Sequence, residues 1–389
     1  MKKNPRASFR GASLAVKQAC TDLSAQAQDL PLKDHPFSAI NPKPKGIGLL
    51  SGGLDSILAV RLLQKQGIEV IGLMIETGFT TDYKWRQLQE ANRESIPEAV
   101  PLSRQLSEIL NIEIVVTDIS RSFFQMVLNP RFGYGKFVNP CIDCRILMLQ
   151  SARELMLERK ADFVFTGEVI SQRPMTQFRS TLAQTEKDAC LEGYLLRPLS
   201  AKLLEPTIPE KEGKIDRSRL EAIVGRSRSR QLELAKLWDL TGIAPAGGGN
   251  CQLISPEYSK RMRDLFNNKG KHHIHAEDSL LLGFGRHFRL SPYVKLVVSR
   301  NAQEHNLLLD KNKHFTLLEM PDITGAAALI DGETTELELH LAARILGRYS
   351  KAEANADIRF LLTRTDGSTI DFEEKAFPID ASELSNYLI

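Results

Sequence analysis

The chain is predicted to be an α/β protein built on a doubly wound parallel sheet, followed by a smaller α+β domain. Three observations lead there. From Gly46 onward, short continuous apolar runs alternate with helical stretches, the pattern of parallel strands covered on both faces. The first run passes through a glycine turn directly into a helix, Gly46-Ile47-Gly48-Leu49-Leu50-Ser51-Gly52-Gly53-Leu54-Asp55-Ser56-Ile57. Beyond about Ser279 the texture changes to closely spaced strand-like runs.

Taken in order, Ile47–Leu50 reads as the first strand and Ile57–Leu63 as the helix that follows it. Ile68–Ile75 is a second buried strand, and Ile112–Thr117 is a third behind a helix at Ser103–Leu110. A helix at Ile146–Arg159 leads into a fourth strand, Asp162–Gly167, and Tyr194–Leu199 forms an edge element before a proline turn. Helices are expected at Ser218–Val224 and Arg230–Trp238, then a flexible turn at Gly247-Gly248-Gly249. In the last module, Arg286–Leu290, Val294–Val298, Phe315–Glu319 and Ile358–Leu362 read as strands, with a helix at Glu336–Tyr349. The expected organisation is an extension and linker over 1–43, an α/β domain over 44–266 and an α+β domain over 280–389. The extension is basic early on, with one short helix around Leu14–Gln28, and the linker holds Pro31, Pro36, Pro42 and Pro44.

Composition narrows the function classes. The 389 residues carry 25% charged and 42% hydrophobic side chains with a net charge of +3, so whole-molecule charge does not announce a nucleic-acid partner. No apolar run approaches the roughly 18 residues of a membrane helix, so no membrane partner is expected. Five cysteines are too few and too unevenly placed for a secreted disulfide scaffold, and a cytoplasmic location is expected.

Two stretches carry chemistry. Ser51-Gly52-Gly53-Leu54-Asp55-Ser56 sits at a strand-to-helix turn, where backbone N–H groups converge on an anion. The paired glycines admit a phosphate close to the main chain, the serines add hydroxyls, and Asp55 suits the positive helix end. The spacing is shorter than a Walker A loop and lacks its Gly-Lys-Ser/Thr. The second stretch is Cys141-Ile142-Asp143-Cys144 after Asn139-Pro140, at a helix start that favours thiolate. A metal or iron–sulfur site, a redox or persulfide pair, and inert packing compete for it. Cys251, after the glycine run, is the natural third sulfur. Three thiolates suit a four-iron cluster with one iron open, or zinc with His272, His273 or His275 as a fourth ligand. Cys20 and Cys190 read as incidental thiols.

Basic groups mark candidate RNA contacts. Arg226-Ser227-Arg228-Ser229-Arg230 alternates guanidinium and hydroxyl, suited either to phosphates or to a solvated helix start. Arg173, with Gln177, follows a strand end, and Arg197 precedes a proline at another. Arg286 and Arg300 lie among aromatic and polar residues that suit stacking on unpaired bases.

The hexapeptide resembles the SGGxDS signature of the PP-loop ATP pyrophosphatases. Over roughly 44 to 266, Asn139-Pro140-Cys141-x-x-Cys144 and Thr166-Gly167-Glu168 follow it in the order of the tRNA-thiolating members, nearest to the tRNA 2-thiouridylase family and similar also to 4-thiouridine synthases. The resemblance implies ATP with Mg²⁺ on Ser51, Gly52, Gly53, Asp55 and Ser56. Met74 then matches a backbone contact to adenine, and Gly167 a strand-end glycine beside the nucleotide. It implies that Cys141, Cys144 and Cys251 handle sulfur or hold an iron–sulfur cluster. The chain departs from the family at Arg145, where Asn is usual, and at Glu168, where His is usual. Its late cysteine follows Gly-Gly-Gly-Asn rather than Gly-x. Ser299-Arg300-Asn301 is similar to segments of small RNA-binding modules in ribosome-associated quality-control factors.

The reading is an ATP-dependent tRNA sulfurtransferase. It adenylates a nucleoside carbonyl oxygen, releases pyrophosphate and installs sulfur from sulfide or a persulfide carrier protein. One alternative is an amide- or nitrile-forming PP-loop enzyme on a small molecule, with zinc on the cysteines. Another is a nucleotide-binding RNA-associated module without catalysis.

Overall fold

A computed structural model of the chain describes residues 43–93, 100–240, 251–353, 356–375 and 379–389. The N-terminal extension and the Gly247–Gly249 turn lie outside the described residues. The chain divides into two compact units built from discontinuous segments. The first holds the described parts of 1–75, 101–117 and 141–248, and the second those of 76–100, 118–140 and 249–389. Segments 76–93 and 118–140, placed in the α/β domain on sequence grounds, therefore belong to the second unit.

The first unit is a five-stranded sheet of β1 (Lys45–Leu49), β2 (Glu69–Glu76), β3 (Glu113–Asp118), β4 (Phe163–Thr166) and β5 (Leu195–Leu196) in the order β3-β2-β1-β4-β5. β1 pairs in parallel with β2 and β4, and β4 with β5. This is the expected doubly wound arrangement, with β1 at the centre, where the strand order turns.

The glycines of β1 explain how that centre packs. Gly46 lies opposite Phe163 and Gly48 opposite Phe165 in the register with β4. A Cβ on Gly48 would stand 2.4 Å from the Phe165 ring, and one on Gly46 2.7 Å from that of Phe163. The two rings, 6.2 Å apart, occupy the space that the glycines leave. The following helix, Leu54–Gln64, is buried on nearly every side, with Ile57, Leu58, Ala59, Val60 and Leu63 at 1% exposure or less. Such a segment is core rather than an amphipathic surface helix.

Two local expectations differ from the structure. The helix predicted from Ile146 begins at Cys141, directly after Pro140, and runs to Glu158. Ser218–Val224 is not a helix. Asp216 accepts from the Ser218 amide (2.9 Å) and caps a single turn at Arg217–Arg219. Beyond that turn, the Glu221 and Ile223 amides donate to the Pro198 and Leu199 carbonyls at 3.0 and 2.8 Å. Those bonds hold the segment extended.

The second unit centres on a six-stranded sheet. Its strands are β6 (Arg286–Arg289), β7 (Lys295–Val298), β8 (Thr316–Glu319), β9 (Ala328–Asp331), β10 (Asp357–Thr363) and β11 (Thr369–Lys375), in the order β11-β10-β8-β9-β7-β6. The pairings are antiparallel. The Glu336–Gly347 helix lays Ala342, Ala343, Ile345 and Leu346 into a core with Phe288, Leu296 and Phe360. Neither β9 nor β11 is predicted from sequence. β9 is a four-residue run, Ala328-Leu329-Ile330-Asp331, held between two flanking strands, and β11 is a polar edge strand.

The glycine–phenylalanine pairing can be tested directly. Gly48→Ala is expected to lower stability by about 1–3 kcal/mol, the usual cost of overpacking a filled core. Phe165→Leu added to it should recover part of the loss. Urea unfolding midpoints of wild type and both variants check this; losses that simply add would contradict it.

Candidate functional site

The loop after β1 presents an anion cradle. Gly52 has a φ of +73°, open to glycine without strain. Gly53 caps the Leu54–Gln64 helix and offers no side chain to its first-turn amides. The Ser56 amide donates to the Gly53 carbonyl at 3.1 Å, while Leu54 and Asp55 carry the amides a ligand could meet. Ser51 is exposed. Ser56 is buried, and its hydroxyl donates to the Gly53 carbonyl at 2.7 Å, so it braces the loop. Gly167, one residue past β4, packs on that same turn. A Cβ there would fall 2.5 Å from both the Asp55 carbonyl carbon and the Ser56 nitrogen. Only glycine lets the end of β4 approach the loop so closely.

Asp55 anchors a polar relay. Gln172 Nε2 donates to its Oδ2 at 2.7 Å, and Gln231 Nε2 donates to Gln172 Oε1 at 2.9 Å. Arg228 approaches from another side, with Nη2 3.8 Å from Asp55 Oδ1, close enough to attract and too far to hydrogen-bond. Three buried atoms of this group have no hydrogen-bond partner: Asp55 Oδ1, Arg228 Nε and Gln231 Oε1. Buried polar atoms are nearly always paired, so the cluster is chemically unsaturated around the loop. The stretch Ser171–Gln177, which holds Gln172, reads from sequence as lining the cleft, whereas Gln231 went unrecognised, since an isolated glutamine carries no pattern.

The cysteine pair opens the Cys141–Glu158 helix, with both residues half-buried in its first turn. Cys144 Sγ lies 4.0 Å from Met148 Sδ, and neither cysteine is in a disulfide. The next residue links this helix to the loop. Arg145 Nε lies 3.1 Å from Glu168 Oε1, and Glu168 directly follows the Gly167 that packs on Asp55 and Ser56. The two departures from the family pattern are thus partners of one ion pair. Glu168, 2% exposed, also meets Arg197 Nε at 3.2 Å and accepts from the Thr166 hydroxyl at 3.1 Å. Arg197 continues to Glu186 (2.9 Å) and the Leu182 carbonyl (3.1 Å), so this arginine is structural rather than a phosphate ligand.

Cys251 belongs to the second unit, where it bridges Thr80. Within each unit, among the described residues, no group of three or more His, Cys, Asp or Glu is arranged to hold a metal ion. His272 and His273 are exposed on a short turn.

The other candidates divide. Met74 is half-buried in β2 against the core. Arg173 and Arg226 are exposed. Gln177 ties its own turn by accepting from the Arg173 amide at 2.8 Å. Arg230 is held by Glu221 at 2.9 Å and Glu233 at 3.3 Å. Arg286 lies 4.5 Å over the Tyr349 ring and donates to the Ser299 carbonyl at 3.3 Å. Arg300 pairs with Glu304, which also accepts from the Gly285 and Arg300 amides. Phe288 is core rather than a stacking platform. Arg230 and Arg300 are exposed as well but each is ion-paired, whereas Arg173 and Arg226 are exposed with no ion pair among the described residues.

Glu168 makes the link testable. Burial pushes its carboxyl up, but Arg145 and Arg197 outweigh that and hold it below the ordinary glutamate value. Its contribution is therefore complete above the unfolded-chain value of about 4.3 and lost as pH falls through the lower folded value. Glu168→Gln is expected to cost about 3–5 kcal/mol at neutral pH by stranding buried charge. Urea titrations should show that gap shrinking as acid protonates the wild-type carboxylate; a gap independent of pH would contradict the assignment.

Comparison with known proteins follows this geometry. Residues 45–238 match the family model described as a tRNA methyl transferase HUP domain, and residues 285–388 match the NFACT protein RNA binding domain. The chain is similar to tRNA-specific 2-thiouridylase MnmA 2 of Thermoanaerobacter sp. (strain X514), 27% identical over 161 residues, or 40% of this chain and 44% of that protein. It is similar to MnmA 1 of Clostridium botulinum (strain Okra / Type B1), 28% identical over 167 residues, or 41% and 43% of the two chains. It thus spans less than half the length of these relatives. A solved 4-thiouridine synthetase–RNA complex with bound ATP aligns at a TM-score of 0.30 and 20% identity, over 51% of this chain and 52% of that one. Residues 45–238 are thus similar to a HUP domain and to part of the tRNA 2-thiouridylases, and residues 285–388 are similar to the NFACT protein RNA binding domain.

Proposed function

We propose that this chain is an ATP-dependent tRNA sulfurtransferase. The observation that carries the reading is the Ser51–Ser56 loop, an uncapped helix start beside the unpaired Asp55 Oδ1. Its domain is related to the 2-thiouridylases, and the same chain carries an RNA-binding-type domain.

In this reading ATP is a substrate whose phosphates lie on the loop amides, with adenine toward the Met74 backbone. Asp55 is the carboxylate for Mg²⁺, which would neutralise phosphate charge. A nucleoside carbonyl oxygen of tRNA attacks the α-phosphorus and pyrophosphate leaves, turning that oxygen into part of a good leaving group. Sulfur then adds at the same carbon, and the C–O bond breaks to release AMP. The sulfur comes as sulfide or from a persulfide carrier protein. Sulfide adds to the carbon directly. On the persulfide route Cys141 or Cys144, at the positive end of their helix, takes the outer sulfur as the carrier's thiolate leaves. That persulfide attacks the carbon as AMP departs, and the other cysteine then breaks the Cys–S bond, leaving a disulfide that a thiol reductant reopens. Cys141 and Cys144 would supply two thiolates to an iron–sulfur cluster, which would hold sulfide at an open iron; zinc is the alternative occupant. Arg173 and Arg226 are exposed candidates for tRNA phosphates, with Arg230, Arg286 and Arg300 as further candidates whose present partners a phosphate would compete with.

The test has two parts. Purified protein should release pyrophosphate from ATP in a tRNA-dependent way, and Asp55→Ala should lower that rate at least about a hundredfold, as for loss of a charge-stabilising group. Mass spectrometry of tRNA nucleosides from a deletion strain should show one thionucleoside missing. Unchanged thionucleosides would sink the thiolation reading. Pyrophosphate release without tRNA would move the assignment to a small-molecule substrate.

Anaerobic purification tests the sulfur site separately. Iron and acid-labile sulfide are expected in wild type and lost from Cys141→Ser and Cys144→Ser. Stoichiometric zinc without sulfide would contradict the cluster.

A further inference from the structure

Of the arginines in the 226–230 segment, Arg228 is set apart by what surrounds it. Arg226 is exposed, and Arg230 is neutralised by Glu221 and Glu233. Arg228 instead sits against the loop, its side chain 28% exposed and its Nε buried without a partner. Its nearest carboxylate is Asp55 Oδ1 at 3.8 Å, itself unpaired. Behind it Gln231, 0% exposed, keeps Oε1 unpaired while its amide nitrogen holds Gln172, which holds Asp55. The cluster therefore keeps an unsatisfied guanidinium N–H beside the anion cradle.

A guanidinium presents N–H donors in a planar fork that matches phosphate oxygens. The Coulomb attraction of Asp55 keeps the fork near the loop without consuming it. We infer that Arg228 binds nucleotide phosphate rather than RNA, holding the pyrophosphate portion of the triphosphate while Gln231 and Gln172 keep Asp55 in place. Charge develops on that portion as pyrophosphate leaves, so the same contact stabilises the leaving group. The inference rests on the ATP reading above and adds to it the residue that grips the departing phosphates.

The experiment compares ligands that differ only in phosphates, on the full chain, by calorimetry. Arg228→Gln should weaken ATP and inorganic pyrophosphate about tenfold to a hundredfold, as for loss of a charge-assisted hydrogen bond, while adenosine binds as in wild type. Arg228→Lys should restore part of the ATP affinity, and both variants should keep the wild-type circular dichroism spectrum. Arg228→Gln that binds ATP and pyrophosphate normally would overturn the assignment, as would a variant that loses only tRNA affinity. Equal weakening of adenosine would also overturn it, pointing to a collapsed loop. Failure of wild type to bind ATP would instead remove the ATP reading, and Arg228 with it.

Discussion

The first unit depends on one buried carboxylate. Glu168 lies at the end of β4 between Arg145 and Arg197, and it joins three pieces that are remote in sequence. Through Arg145 it holds the helix that starts at Cys141. Through Arg197 it holds Glu186 and the Leu182 carbonyl. Through the adjacent Gly167 it sits against the Asp55–Ser56 peptide. A buried ion pair contributes little net stability compared with an apolar filling, but breaking it is costly. Its value here is registration: the cysteine turn and the anion loop cannot drift apart without stranding charge.

That constraint recasts the departures from the family pattern. Taken singly, Arg145 for Asn and Glu168 for His look like losses of family residues. Paired at 3.1 Å, they form a self-consistent alternative in which each supplies the charge that the other needs. The loop itself is built in the opposite manner. Around Asp55, Gln172 fixes one carboxylate oxygen, while the other has only the Arg228 guanidinium at 3.8 Å. Both oxygens of Glu168, in contrast, face a guanidinium, at 3.1 and 3.2 Å, so its charge is balanced far more closely than that of Asp55.

Much of this was legible in the sequence because it rests on local patterns. The alternation of apolar runs and helices marked β1 to β5, and the hexapeptide marked the loop. The Gly46–Phe163 and Gly48–Phe165 pairs, in contrast, exist only through register between strands more than a hundred residues apart. β9 was invisible because its four residues are too short a run to show a period, and the strands on either side impose the conformation. The ion-pair partners of the arginines were hidden for a related reason. The carboxylates beside Arg197, Arg230 and Arg300 lie elsewhere in the fold or fall at a spacing that carries no motif. Gln231 was missed altogether, and Gln172 was read only as one residue of the cleft-lining stretch Ser171–Gln177, since a relay of amides has no linear signature.

The account stands on the loop activating a nucleoside oxygen, and isotope tracing tests that most directly. Substrate tRNA carrying ¹⁸O at the target carbonyl should transfer that atom to AMP in a single turnover with ATP and a sulfur source. AMP bearing one ¹⁸O for each thionucleoside formed is the predicted result. Thionucleoside formed with unlabelled AMP would contradict the adenylation of that oxygen and the role assigned to the loop.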